Sequence, residues 1–270
     1  MARLREHGEI IACTPKCLGN DRLHDAARAA EQENLLNRPS HHQLAQVLPV
    51  GASMTDFVAV MTTKYWRASG VRLGVGFMDN PPKELRARIL SHMNSWSQSA
   101  NVQFAESTSD PVVRISRDQS GYWSYIGTDA LLIDKTKPTM NLQGFTMETP
   151  DSELCRVVRH QTGHALGCPH EHLRAETIAL IDEQKAIEFF GATQGWTEAQ
   201  VRAQVLTPLP TNSVRANTSP KRQSIMSYQI PASITKNGVA IAGGIDIDPL
   251  DYEFMAKLYP MPRMLAAAPG

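Results

Sequence analysis

The chain has few cysteines, no excess of charge of either sign and no long apolar run, and each absence narrows what it can be. Four cysteines in 270 residues, Cys13, Cys17, Cys155 and Cys168, are too few and too unevenly spaced for a disulfide framework. The fold must rest on its core instead. Twenty-seven basic residues balance 27 acidic ones, so no global field draws the chain to nucleic acid or to an anionic membrane surface, and neither is expected as a partner. No stretch approaches the roughly 20 apolar residues needed to cross a bilayer. The apolar run in MARLREHGEIIACTPKC is too short for a signal peptide. As written, the chain is expected to stay in the cytoplasm, or to be secreted where a signal has been cut away. Internal repeats and low-complexity tracts are absent too. What is present is a hydrophobic content of 42%, enough to bury one large domain or two modest lobes.

Residues 1–60 alternate charged and small residues and carry one convincing helix, DAARAAEQENLL, before Pro39 and the pair His41 and His42 interrupt it. This part reads as an extension wrapped on a domain. The core begins at VRLGVGFM, where Val71, Leu73, Val75 and Phe77 alternate as in a half-buried strand. After Pro81 and Pro82, Leu85, Ile89, Met93 and Trp96 recur at helical spacing on one face. NVQFAE and VVRIS then read as strands, so the order is strand, helix, strand, strand, which implies a mixed sheet backed by helices. A helix is expected over residues 152–166, capped by Asp151 or Ser152, with Leu154, Val157 and Val158 inward and Gly167 at its end. Beyond it come a helix through EQKAIEFF, a second opened by the capping-box pair Thr197 and Gln200, and a closing one begun by Asp248-Pro249-Leu250-Asp251 and stopped at Pro260. The fold class is α+β, with the second half mostly helix and loop.

The chemistry concentrates in HQTGHALGCPH. His160 and His164 are four apart on the expected helix, so their imidazoles project from one face and can bind one tetrahedral ion. Gly167 lets the chain leave the helix sharply and bring His170 back as a third nitrogen ligand. Three protein ligands with the fourth position open for water is the pattern of a catalytic rather than a structural zinc. A purely structural site would need a fourth protein ligand, and only a cysteine of the N-terminal segment is available. Cys13 and Cys17 read first as two thiols of that segment; the alternative is that one reaches the open position as a thiolate and keeps the site latent. His41, His42 and His172 read as polar surface groups.

HQTGHALGCPHEHLR resembles the metzincin signature HExxHxxGxxH, and the continuation HEHLR is similar to the astacin branch. SIMSY, with Met226 and Tyr228, resembles the methionine turn that metzincins place under the zinc. GYWSYIGT (residues 121–128) and PTMNL (residues 138–142) resemble the strands and loop before the active-site helix of bacterial astacin-like enzymes, and DPLDYEFMAKLYP resembles their closing helix. The likeness covers about residues 60–260. It implies a metzincin-like, two-lobed catalytic domain over residues 61–262, with lobes of about 61–167 and 168–262, a propeptide-like extension over 1–60 and a tail over 263–270. It further implies Zn²⁺ held by His160, His164 and His170, Met226 as an apolar base, Tyr228 as a hydroxyl that can turn to the oxyanion, and a peptide or protein substrate. Glu171 stands where the family has the glutamate that anchors the mature N-terminus. Some astacin relatives are latent through a propeptide. Specificity would come from loops around residues 175–225.

One position departs from the pattern. Gln161 stands where the family has the glutamate that takes a proton from the attacking water and hands it to the leaving amine. An amide can do neither, and general acid–base help is worth about 10²–10⁴-fold in rate. The expectation is therefore a zinc endopeptidase, working by metal-activated water, whose present form is inactive or strongly impaired. The alternative is a non-catalytic, zinc-dependent peptide-binding pseudoenzyme. Glutamine is nearly isosteric with glutamate, so it is both the exchange that would be made to trap a substrate and the residue a natural non-catalytic relative would carry. With the rest of the site intact, the first origin is preferred.

Overall fold

A computed structural model of the chain describes residues 13, 16, 18–40, 62–171, 175–208, 224–227 and 229–262. Cys17, His41, His42, His172, Tyr228 and the expected tail lie outside the described residues. The α+β class expected from the sequence is what the chain forms. Strand β1 (Val71–Phe77) buries Val71, Leu73 and Val75 by simple alternation, and Phe77 is half-buried. Helix α1 (Leu23–Glu33) precedes it. Helix α2 (Lys83–Met93) puts Leu85, Ile89 and Met93 wholly inside, and a 3-10 turn, Asn94–Gln98, carries the same face on to Trp96. Strands β2 (Val102–Glu106) and β3 (Val113–Ser116) follow, then two short ones, β4 (Tyr122–Ser124) and β5 (Met140–Leu142).

The sheet order is β2-β1-β3-β5-β4, with every pair parallel except β4, which runs antiparallel to β5 and forms one edge. Parallel neighbours cannot be joined by a tight turn, and α2 is the crossover between β1 and β2. Helix α3 (Asp151–Ala165) packs against α2 and the β4 side of the sheet. Leu154, Val157 and Val158 are its buried row. Its expected cap is corrected: Pro150 is the N-cap and no side chain caps the helix. The Asp151 carboxylate instead accepts from Arg88 Nη2 at 3.3 Å and lies 3.3 Å from His92 Nε2. Two partners on α2 outcompete a local cap.

Among the described residues the second half is helix and loop, as expected: α4 (Ala175–Ile178), α5 (Glu183–Gln194), α6 (Glu198–Val201) and α7 (Pro249–Leu258). Thr197 with Gln200 and Asp248 with Asp251 close the capping boxes that open α6 and α7. A separate apolar cluster of Ile181, Ala186, Phe190, Val201, Val205, Ile230 and Ile234 forms here. The main core takes residues from both sides of position 167, since Met226, Met255 and Tyr259 join the cluster built by the sheet, α2 and α3. Near the N-terminus, the buried Asn37 accepts from the Tyr65 N–H at 2.9 Å and donates to the Tyr65 and Ala30 carbonyls at 2.7 and 2.8 Å, tying α1 to the segment leading into β1. Among the described residues, no helix is long and apolar enough to cross a membrane.

Candidate metal centre

Helix α3 carries His160 and His164 one turn apart, and the chain then has to reverse. Gly167 does this at φ +99, a conformation that favours glycine. Its N–H donates to the His164 carbonyl at 2.8 Å, and the Cys168 N–H reaches back to the Gly163 carbonyl at 3.0 Å. His170 returns to the helix face as a result. The reversal is held from outside as well: the Tyr259 hydroxyl donates to the Leu166 carbonyl at 2.6 Å, and Trp66 Nε1 donates to the Ala165 carbonyl at 2.7 Å.

All three imidazoles are buried, His164 and His170 completely. The His170 Nε2 lies 3.1 Å from both the His160 and the His164 Nε2. His160 Nδ1 bonds the Ile225 carbonyl, and His164 Nδ1 bonds the Cys168 carbonyl at 2.7 Å. A carbonyl only accepts, so each of these Nδ1 atoms carries the proton and each Nε2 turns a lone pair inward. Burial pushes the His160 imidazole down to about 4, with the bond to Ile225 pulling the other way, so it is neutral at pH 7. Lone pairs that face one another at this distance repel unless a cation lies among them. Three nitrogens bound at about 2.0–2.1 Å to a tetrahedral ion sit roughly 3.3 Å apart, close to the spacing found. The donor set fits zinc.

Beside the fourth position, expected to be open with a cysteine of the N-terminal segment as the alternative occupant, the structure places Cys13. Cys13 Sγ and the three histidine nitrogens all lie within 4.8 Å of one another, and all four residues are buried. Burial pushes the Cys13 thiol up to about 12, against the pull of its bond with Gln161 and of the Arg156 charge. A thiolate at such a place needs a cation beside it. The segment carrying Cys13 runs parallel to the sheet edge, with bridges from Cys13 to Tyr122 and from Lys16 to Tyr125. The Lys16 N–H donates to the Ser124 carbonyl at 2.9 Å, and its ammonium lies 3.5 Å from the centre of the Trp123 ring. What remains between Cys13, Tyr122, Arg156, Gln161 and Gly244 is a cavity of about 50 Å³. It has room for a few waters and none for a peptide.

Beneath the histidines lies the turn Ser224–Ser227, with the Ser227 N–H donating to the Ser224 carbonyl at 2.9 Å. Asp251, in the first turn of α7, accepts from Ser224 Oγ at 2.7 Å and the Ile225 N–H at 2.9 Å, so the closing helix clamps the turn. The Met226 side chain is buried and rests on Gly163. A Cβ at position 163 would meet its sulfur at 2.2 Å. Gly163→Ala is therefore expected to cost about 1–3 kcal/mol in urea unfolding, the usual range for an overpacked core, and to loosen metal binding as α3 shifts. Unchanged stability would mean that Met226 can move away freely.

The structure thus brings together His160, His164, His170, Gln161, Met226 and Cys13. Tyr228 lies outside the described residues, and Glu171 meets the turn through its N–H to the Met226 carbonyl at 3.1 Å. Gly163 and Asp251 were not singled out from the sequence as parts of the site. A glycine inside a helix costs about 1 kcal/mol relative to alanine, and that oddity is the signal that finds Gly163. Asp251 has a local use as a helix opener, which hides its second one.

Comparison with known proteins gives a consistent picture. Residues 60–237 match the family model described as Astacin (Peptidase family M12A). Zinc metalloproteinase nas-27 of Caenorhabditis elegans is 32% identical over 106 residues, 39% of this chain and 23% of that protein, so the match spans under a quarter of that relative. The structure of myroilysin superposes with a TM-score of 0.68 at 29% identity, covering 74% of this chain and 97% of that one. High choriolytic enzyme 1, a hatching enzyme zinc-protease from Oryzias latipes, superposes with a TM-score of 0.52 over 74% of this chain and 96% of its own; at 15% identity the likeness is one of fold alone.

Proposed function

Since the chain belongs to the astacin family of zinc-dependent peptidases, we propose that it is a zinc endopeptidase scaffold whose hydrolytic step is disabled at Gln161 and whose cleft is closed by its own N-terminal segment. The observation that carries this is the cluster of Cys13, His160, His164 and His170 at the C-terminal end of α3. His160, His164 and His170 would hold the zinc, with Cys13 as the fourth ligand. When bound, zinc polarises a peptide carbonyl and lowers the pKa of water. The rest falls to the chain's own groups. Position 161 is where a proton has to be held during attack and released to the leaving amine, and an amide holds none at neutral pH. Tyr228 would supply a hydroxyl to the developing oxyanion. A peptide or protein substrate would add to the outer edge of β4, which the backbone at Lys16 now occupies.

The second reading, a non-catalytic zinc-dependent peptide-binding protein, is favoured by one observation: Gln161 is bonded to Cys13 rather than free for chemistry. In both cases elemental analysis should find about one zinc per chain. Incubation with a mixed peptide library should show no cleavage. A metal-free protein, or cleavage at a rate typical of peptidases by the chain as written, would refute the proposal.

A further inference from the structure

We propose that Gln161 is a positioning residue for Cys13, an amide matched to a sulfur ligand so that this chain keeps its metal site closed by four protein groups. The proposal rests on the zinc site described above. Gln161 Nε2 donates a hydrogen bond to Cys13 Sγ at 3.0 Å, across 148 residues of sequence. Both side chains are buried, at 1% and 5% exposure, so the bond is shielded from bulk water. A sulfur bound to a metal as a thiolate accepts hydrogen bonds, and those to charged groups are the strong ones. Glutamine presents an N–H there. Glutamate in its ionised form is an acceptor only, and would set negative charge against the sulfur in a buried site that screens it poorly. The residue that suits hydrolysis is therefore the wrong one for holding Cys13, and the residue present is the right one.

The geometry around the pair supports this use. Gln161 follows His160 on α3, so the amide is carried by the same rigid element as two of the histidines. Arg156, one turn earlier and fixed by two bonds to Glu153 at 2.9 and 2.6 Å, lines the same cavity. It adds positive charge on the sulfur's side. The N-terminal segment is anchored separately at Lys16, so loss of the amide should release the sulfur without detaching the segment.

The test uses the full chain loaded with cobalt(II), comparing Gln161 with Gln161→Glu and with Gln161→Met, which keeps the volume but has no donor and no charge. The readouts are the sulfur-to-cobalt charge-transfer absorption and the alkylation rate of Cys13, followed by mass spectrometry of its peptide. The native chain should show the band and react slowly, and Cys13→Ser should abolish the band. Gln161→Glu should lose most of the band while still binding about one cobalt, and its Cys13 should be alkylated about 10–100-fold faster, the factor a lost hydrogen bond to a charged group corresponds to. Gln161→Met should fall between. Equal bands and equal alkylation in all three chains would overturn the proposal with the metal site intact, as would a band that survives Cys13→Ser. A native chain that binds no cobalt would refute the metal site itself and this proposal with it.

Discussion

Placing glutamate at position 161 in a chain whose N-terminal segment has been cut away after Lys16 is expected to switch on peptide hydrolysis, raising kcat by about 10²–10⁴-fold over the cut chain with Gln161. A carboxylate at this place accepts the proton of the attacking water and then delivers it to the departing nitrogen. The amide of Gln161 does neither. The gain should appear in kcat and leave KM nearly unmoved, because glutamine and glutamate have almost the same shape and offer a bound peptide the same walls. Both changes are needed. Cys13 and the backbone at Lys16 occupy the place and the strand edge that a substrate would use, so Gln161→Glu alone should give a smaller gain. Cys13→Ser should open the cleft less than removal of the segment, since the bond at Lys16 still holds the backbone on β4. A cut Gln161→Glu chain that folds, binds zinc and cleaves nothing across a diverse peptide library would leave the peptide-binding function in its place.

Replacing His170 with alanine is expected to empty the metal site. The loss of even a supporting hydrogen-bond partner of a ligand costs roughly 10–100-fold in metal affinity, and the loss of a ligand costs more. His170 is completely buried and its Nε2 is 3.1 Å from each of the other two, so its loss leaves a gap at the centre of the donor set. His164→Ala should do the same, and in addition free the Cys168 carbonyl that His164 Nδ1 now holds. Dialysis against a chelator followed by elemental analysis measures both. Zinc retained in full by His170→Ala would show that the third ligand is some other group.

These two variants differ in how far the sequence alone foresaw them. The histidines were legible because their information is local: a spacing of four on a helix fixes two side chains on one face, and a glycine at the bend explains the return of the third. Strand β1 was legible for the same reason, through the alternation of Val71, Leu73 and Val75, as were α6 and α7, whose capping boxes close within four residues. Contacts between distant segments were not. No local pattern places Cys13 beside Gln161, and the thiol became the fourth member of the cluster only when its segment was laid along β4. Asp151 was misjudged as a cap because Arg88 and His92 reach it from α2. Asp251 looked complete as a helix opener until the turn at Ser224–Ser227 was found hanging from its carboxylate. In each case the local use was visible and the long-range one was set by packing.

A fourth protein ligand from Cys13 would separate this chain from an open catalytic zinc site. Three protein nitrogens and a free position are what hydrolysis needs, and four protein ligands are what a structural or latent site has. The most direct measurement is therefore X-ray absorption at the zinc edge of the purified full-length protein. The structure predicts one sulfur neighbour at about 2.3 Å and three nitrogens at about 2.0–2.1 Å, with the sulfur shell lost in Cys13→Ser. A zinc with only nitrogen and oxygen neighbours in the native chain would contradict it.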